Sequence, residues 1–365
     1  MSDAPLINRW WIEVGEEEIT RIGEAMRAGR VSQGPVTAEF EAALGAFLGV
    51  EHVVCTTSGT MALVMALLAS GVGPGDEVLV PDRTWVATAN APRLLGAKVV
   101  LVDVRADALV MDEEQVEGLI TPRTRAILPV HVNGTPAAVE RLGGIAERHG
   151  LTLIEDACQA FSSRYRGQSL GTFGRFGCFS LGFNKILTTG QGGFVVCRDG
   201  ADAALLRRIR NQGLTGTDLS ERHDIPGANF KFTDIQAAMG LAQLHRMPRR
   251  IEHQRAVYRA YREGLAGIGG LEQTFVDPEA GQVPLRTEYV CRYRTALMAA
   301  LREEGIIAEA QAPCLHQYGF LATDRSFPNS ERYCQTLIML PSGPEQPMEN
   351  VQRAIEVIRR VAPRL

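Results

Sequence analysis

The stretch Leu151-Thr-Leu-Ile-Glu-Asp156-Ala-Cys-Gln159 is an apolar run that ends in two acids. It reads as a buried strand with a carboxylate delivered at its C-terminal edge. Similar runs recur at 77–81, 98–102, 126–130, 177–180 and 193–197, and stretches of helical period such as 61–70 and 137–149 lie between them. Alternating strand and helix mark βαβ units, so the fold class is α/β with a mixed, mainly parallel sheet. Ligands of such sheets gather at the C-terminal strand edge, where Asp156 falls. Past about residue 244 the texture changes to an arginine-rich helical run at 246–265, weaker strand signals, and helices at 293–304 and 348–361. This predicts a large domain over 1–245, including an N-terminal arm, and a small C-terminal α+β domain over 246–365.

A chain of 365 residues, 45% of them hydrophobic, can fill two such cores. With 22% charged residues and a formal net charge of -4, it carries no excess of positive charge for a nucleic-acid groove or a polybasic membrane face. No stretch reaches the length of a membrane span and the first residues do not read as a leader, so the expectation is a soluble, cytoplasmic protein. Its expected partners are small molecules or copies of itself. Seven cysteines without a CxxC pair read as buried thiols, and seven histidines without ligand spacing give no metal site.

Of 38 basic residues only three are lysines, Lys98, Lys185 and Lys231. Lys185 closes Gly177-Cys-Phe-Ser180-Leu-Gly-Phe-Asn-Lys185 and precedes the glycine-dense Gly190-Gln-Gly-Gly193. A lysine used here, where the rest of the chain uses arginine, points to amine chemistry such as a Schiff base, for which burial frees the nucleophilic amine. Asp156 has two compatible readings, a helix N-cap or a partner that keeps a pyridine nitrogen protonated. Gln159, three residues on, would share its face. Thr57-Ser58-Gly59-Thr60 opens a helical stretch and reads as a plain cap or as a phosphate cradle. Trp85 lies past a strand end, either stacking on a flat ring or packed in a core or interface. His131 and Asn133, in Pro129-Val-His-Val-Asn133-Gly134, fall in the ligand layer as candidate substrate residues, with a structural histidine as the other reading.

In order, Ser32-Gln-Gly-Pro35, Thr57-Ser-Gly-Thr60, Thr84-Trp-Val-Ala-Thr88, Ile154-Glu-Asp-Ala157, Phe179-Ser180, Lys185, Gly190-Gln-Gly-Gly193 and Gly227-Ala-Asn229-Phe-Lys-Phe-Thr233 resemble the DegT/DnrJ/EryC1/StrS family of sugar aminotransferases. The resemblance implies the aspartate-aminotransferase-like fold type I and pyridoxal 5'-phosphate as cofactor. It implies that Lys185 holds the cofactor covalently, that Asp156 pairs with the ring nitrogen and that Gln159 lies near the ring hydroxyl. Ser58, Gly59, Thr60 and Ser180 would hold the phosphate and Trp85 would stack on the ring. Asn229 would reach the phosphate of the other subunit, so a homodimer with composite active sites is implied. Gln191 stands where relatives often carry glutamate. Relatives with histidine at the lysine position are dehydratases, and the lysine retained here favours transamination. The implied reaction moves an amino group from L-glutamate to a keto-sugar, a nucleotide-linked keto-deoxyhexose for instance. A keto-cyclitol acceptor is the alternative. Arg302 and Arg325 are candidates for a diphosphate.

Overall fold

The computed structural model describes residues 6–215 and 223–365. In chain order the first strands are β1 (His52–Thr56), β2 (Glu77–Pro81), β3 (Lys98–Val102), β4 (Thr124–Ile127) and β5 (Thr152–Asp156). A short hairpin of β6 (Arg164–Tyr165) and β7 (Gln168–Ser169) follows, then β8 (Phe176–Ser180) and β9 (Gly193–Cys197). Seven of them form one sheet in the order β1-β9-β8-β5-β4-β2-β3. β8, β5, β4, β2 and β3 run parallel. β9 is antiparallel to both of its neighbours, which makes the sheet mixed as expected. β2 and β9 are buried along their whole length, as a strand must be when helices cover both faces.

Two strands differ from the sequence reading. β1 was left unassigned by it, because its five residues are squeezed between two helices and begin and end with the polar His52 and Thr56. The run at 126–130 pairs as a strand only to Ile127, since Pro129 has no N–H to give a ladder; a single bridge from Val130 to Asp156 continues it. The helix Gly59–Ala69 is apolar on almost every side. It is wedged between the sheet and the helices Ala87–Leu94 and Gly200–Arg210, where an all-apolar helix belongs.

The small domain holds β10 (Leu271–Gln273), β11 (Thr287–Cys291), β12 (Glu309–Ala310) and β13 (Leu337–Leu340), antiparallel in the order β10-β11-β13-β12. Helices Met247–Gly264, Arg294–Glu303 and Met348–Val361 back it, and Val257, Tyr261, Leu297, Leu301 and Ile358 form its core. The N-terminal arm, grouped by sequence with residues 1–245, docks here. Ile7 exchanges backbone hydrogen bonds with Gly305 and Ile307, both at 2.9 Å, and its side chain joins the small-domain core. The Ser342 N–H donates to Arg9 O at 2.7 Å.

Candidate active site

Parallel strands deliver their C-terminal ends to one edge, and the antiparallel β9 begins at that same edge. Asp156 therefore lies opposite Cys178, and Ser180 pairs with Gly193, which also faces Thr56. The Thr56 end runs into Ser58 and the helix Gly59–Ala69, and β2 runs into Arg83, Thr84 and Trp85. These segments enclose a cavity of about 660 Å³, large enough for a cofactor and part of a substrate. Its lining includes Ser58, Gly59, Thr60, Trp85, Asp156 and Gln159, and also Ser180 and Lys185. Every cofactor residue expected from sequence except Asn229 is thus brought to one place.

Lys185 sits in the loop from β8 to β9, where its N–H donates to Gly182 O at 3.1 Å. Burial pulls its ammonium below the ordinary lysine range; the nearby Arg286 charge adds to the shift and the Asp156 carboxylate opposes it. The amine is thereby made a better nucleophile and base near neutral pH. Beside it, burial pushes the Cys158 thiol well up, so no competing thiolate stands next to the amine. Asp156 is buried, and its carboxylate is aimed from both sides. Thr88 Oγ1 donates to Oδ2 at 2.8 Å and the Cys158 N–H donates to Oδ1 at 3.1 Å. Nothing local in the sequence around Thr88 marks it for this role.

Ser58 caps the helix Gly59–Ala69, its Oγ accepting the Met61 N–H at 3.2 Å. The preceding N–H groups, in the first turn, have no helical partner, and Gly59 and Thr60 line the cavity, the arrangement that takes a phosphate. Contact is close enough to demand glycine. A Cβ at position 59 would lie 2.8 Å from Ser180 Cβ and 2.9 Å from Cys158 Sγ, and one at 193 would lie 2.5 Å from the Ser58 carbonyl. Trp85 is 62% exposed, so it is no core residue; it presents its indole at the open side of the cavity.

Several lining residues escaped the sequence reading. Arg83 is buried, with Nη1 donating to Ala312 O at 2.9 Å and Nη2 to Gln311 Oε1 at 2.6 Å. Arg9 donates from Nε to Glu309 at 2.5 Å, and Arg286 enters from the start of β11. Nothing local marks them, because they come from the arm, a loop and the small domain, and the chain uses arginine everywhere.

The structure corrects the two substrate candidates. His131 is fully buried, Nδ1 accepting the Ala137 N–H at 3.1 Å and Nε2 lying 2.8 Å from Glu155, so neither ring nitrogen is left for a ligand. Asn133 is also buried, at φ 53°, and bridges the two domains: its Oδ1 accepts the Arg286 N–H at 2.7 Å and its Nδ2 donates to Arg286 O at 2.9 Å. Its N–H donates to Gln159 Oε1 at 3.2 Å, which orients that side chain. Asn229 is exposed and lies outside the cavity of its own chain. Arg302 and Arg325 do not line it either; Arg325 donates to Leu101 O. Asp82, Cys314 and His316 bring donor atoms within 4.8 Å of one another. Both Asp82 oxygens, however, are taken by His316, from its N–H at 2.8 Å and its Nδ1 at 2.7 Å, which pins that loop.

The residues fit pyridoxal phosphate: a lysine of lowered proton affinity, a carboxylate fixed at the sheet edge, and a helix start closed by glycine into a phosphate cradle. Sheet and site together define a pyridoxal-phosphate-dependent transferase of the aspartate aminotransferase architecture. The profile of the DegT/DnrJ/EryC1/StrS aminotransferase family matches residues 13–359, and the chain belongs to that family. It is therefore a pyridoxal-phosphate-dependent aminotransferase. Over 272 residues, 74% of this chain and 72% of the relative, it is 40% identical to the GDP-perosamine synthase of Caulobacter vibrioides. Its fold is similar to that of DesV from S. venezuelae, at 34% identity and a TM-score of 0.90, covering 96% of this chain and 95% of that one. It is also similar to Spr1654 of Streptococcus pneumoniae in its PLP form, at 26% identity and a TM-score of 0.92, covering 98% and 99%. Among the described residues no helix is long and apolar enough to cross a membrane.

Proposed function

We propose that this enzyme moves the amino group of L-glutamate onto a nucleotide-linked keto-deoxyhexose, with GDP as the nucleotide. The observation that carries the reading is Lys185, its amine shifted by burial, facing Asp156 and a helix N-terminus across one cavity. Likeness to a GDP-perosamine synthase supports the choice of acceptor. The bound cofactor supplies the electron sink that lets a carbon next to nitrogen lose a proton.

The chain's own residues do the rest. Lys185 holds the cofactor, and its freed amine takes the proton from the donor's α carbon and later returns one to the acceptor's carbon. Asp156, aimed by Thr88 and the Cys158 N–H, accepts the hydrogen bond of the ring nitrogen and so favours its charged form. Ser58, Gly59, Thr60 and Ser180 take the phosphate, Gln159 the ring hydroxyl, and Trp85 covers the ring face. Asn229, exposed and away from its own cavity, reaches the phosphate of a second copy, which makes the working unit a homodimer, in the cytoplasm.

The test is incubation of the protein with L-glutamate and a panel of 4-keto-6-deoxyhexoses on GDP, TDP or UDP, with keto-cyclitols alongside. The expected product is an amino sugar on GDP, seen by mass spectrometry. An amine formed only on a cyclitol would replace the acceptor class, and loss of a hydroxyl without gain of nitrogen would replace the reaction.

A further inference from the structure

This inference rests on the amino-transfer reading, which sets one cavity a conflicting demand. The amino donor carries a carboxylate on the carbon that reacts, whereas the corresponding carbon of a keto-sugar carries no charge. A fixed cation beside Lys185 suits the first substrate and is left unpaired by the second, at a desolvation cost.

Among the described residues three arginines line the cavity, and two of them are committed. Arg9 is paired with Glu309, and Arg83 is held by Gln311 and the Ala312 carbonyl. Arg286 differs. Its side chain is only 14% exposed, yet among the described residues its guanidinium makes no hydrogen bond at all, whereas Arg9 and Arg83 each leave one buried nitrogen unpaired but bond through another. The nearest carboxylate oxygen is Glu288 Oε1, 3.8 Å from Nη1, about 1 Å beyond a charge-assisted bond. Glu288 is itself fully buried; Oε1 accepts from Gln311 Nε2, while Oε2 has no partner. Two opposite charges therefore stand just out of bonding reach, each with an unused polar atom: Arg286 lines the cavity that contains Lys185, and Glu288 lies buried behind it. The two Asn133 bonds fix the Arg286 backbone, so only the side chain is free to choose.

We infer that Arg286 reads the α-carboxylate of the amino donor, and that Glu288 is the internal counter-ion that takes the arginine back when the uncharged keto-sugar occupies the same place. A small rotation of either side chain closes the 3.8 Å gap, so the site alternates between an external and an internal carboxylate. Arg83, through Gln311, holds Glu288 ready for the exchange.

The experiment measures, by titration calorimetry on the cofactor-loaded protein, the binding of glutarate, a diacid with no amine to transfer, and of GDP. Arg286→Gln should weaken glutarate about 30-fold, the worth of a hydrogen-bonded charge pair, and leave GDP unchanged. Glu288→Gln should tighten glutarate several-fold by removing the competitor. Opposite signs from neighbours 3.8 Å apart are not what general disruption of the wall produces. Unchanged glutarate binding in Arg286→Gln, weakening in both variants, or loss of GDP rather than glutarate overturns the inference; the last would assign the arginine to the nucleotide's diphosphate. If glutarate follows the expected pattern but the wild type aminates no nucleotide keto-sugar, the acceptor reading fails and the carboxylate site stands.

Discussion

Replacement of Glu155 by glutamine exchanges one carboxylate oxygen for an NH2 group and tests the support beneath the active-site edge. Glu155 is fully buried at the end of β5, next to Asp156. One oxygen accepts the N–H groups of Phe173 and Gly174, both at 2.7 Å; the other accepts the Gly171 N–H at 3.0 Å and faces His131 Nε2 at 2.8 Å. Because His131 Nδ1 accepts the Ala137 N–H, Nε2 carries the proton, and all four partners of Glu155 are donors. Glutamine offers one oxygen and one NH2, so in either orientation two donors meet a donor. Switching the histidine tautomer only moves the conflict to Ala137. Bonds to a charged group are worth about 1.5–3 kcal/mol each, and unpairing a buried carboxylate network costs about 3–5 kcal/mol. For a chain of this length that corresponds to a fall in Tm of about 4–7 °C. The assay is scanning calorimetry of the cofactor-free protein, so that cofactor affinity does not contribute. A fall of less than about 2 °C would refute the network and reopen His131 as a residue free to meet substrate.

The other expectations are quicker to check. Lys185→Arg should abolish both turnover and the visible absorbance of the loaded protein, and turnover at the wild-type rate would remove Lys185 from its role. Gly59→Ala should cost about 1–3 kcal/mol of stability and weaken cofactor binding at least 10-fold, because the methyl meets Ser180 and Cys158 inside 3 Å; dialysis against pyridoxal phosphate reads the affinity. Lys185→Met should stabilise the cofactor-free protein, most strongly at low pH. The lowered folded-state pKa means that the unfolded chain binds the proton better, so wild-type stability rises with pH between that value and the ordinary 10.5. The Tm advantage of the variant should therefore shrink as pH climbs through that window, and an advantage independent of pH would show that the amine is not desolvated.

Much of the large domain is legible because strands such as β2 and β9 are buried along their whole length and so appear as apolar runs; both fall where those runs predict them, as does the edge strand β3 through its run of Val99 to Val102. β1 is no shorter than these, but it is polar at both ends, with His52 and Thr56, which leaves less contrast. Lys185 stands out through scarcity and Asp156 through its place at a strand end, two signals that are local. Arg9, Arg83 and Arg286 have no local signal, since what makes them special is the absence or presence of partners contributed from far along the chain. His131 shows the opposite failure. Its position past a strand end is the same as that of a ligand residue, and only the Glu155 carboxylate below it and the Ala137 N–H above it turn it inward.

The docking of residues 7–9 on the small domain bears on how the protein is made. Ile7 pairs with residues 305–307 and Arg9 with Ser342, so these arm residues must wait for segments far along the chain before they can make those bonds. Contacts that span so much sequence are slow to form, so the arm closes on the small domain late, although Trp10 itself packs in the large-domain core with Phe40 and Phe161. Arg9 and Trp10 also line the cavity, so cofactor capture by a growing chain should lag until residue 342 is in place. Full capture by a chain truncated before β13 would show that the arm finds its position without its partner.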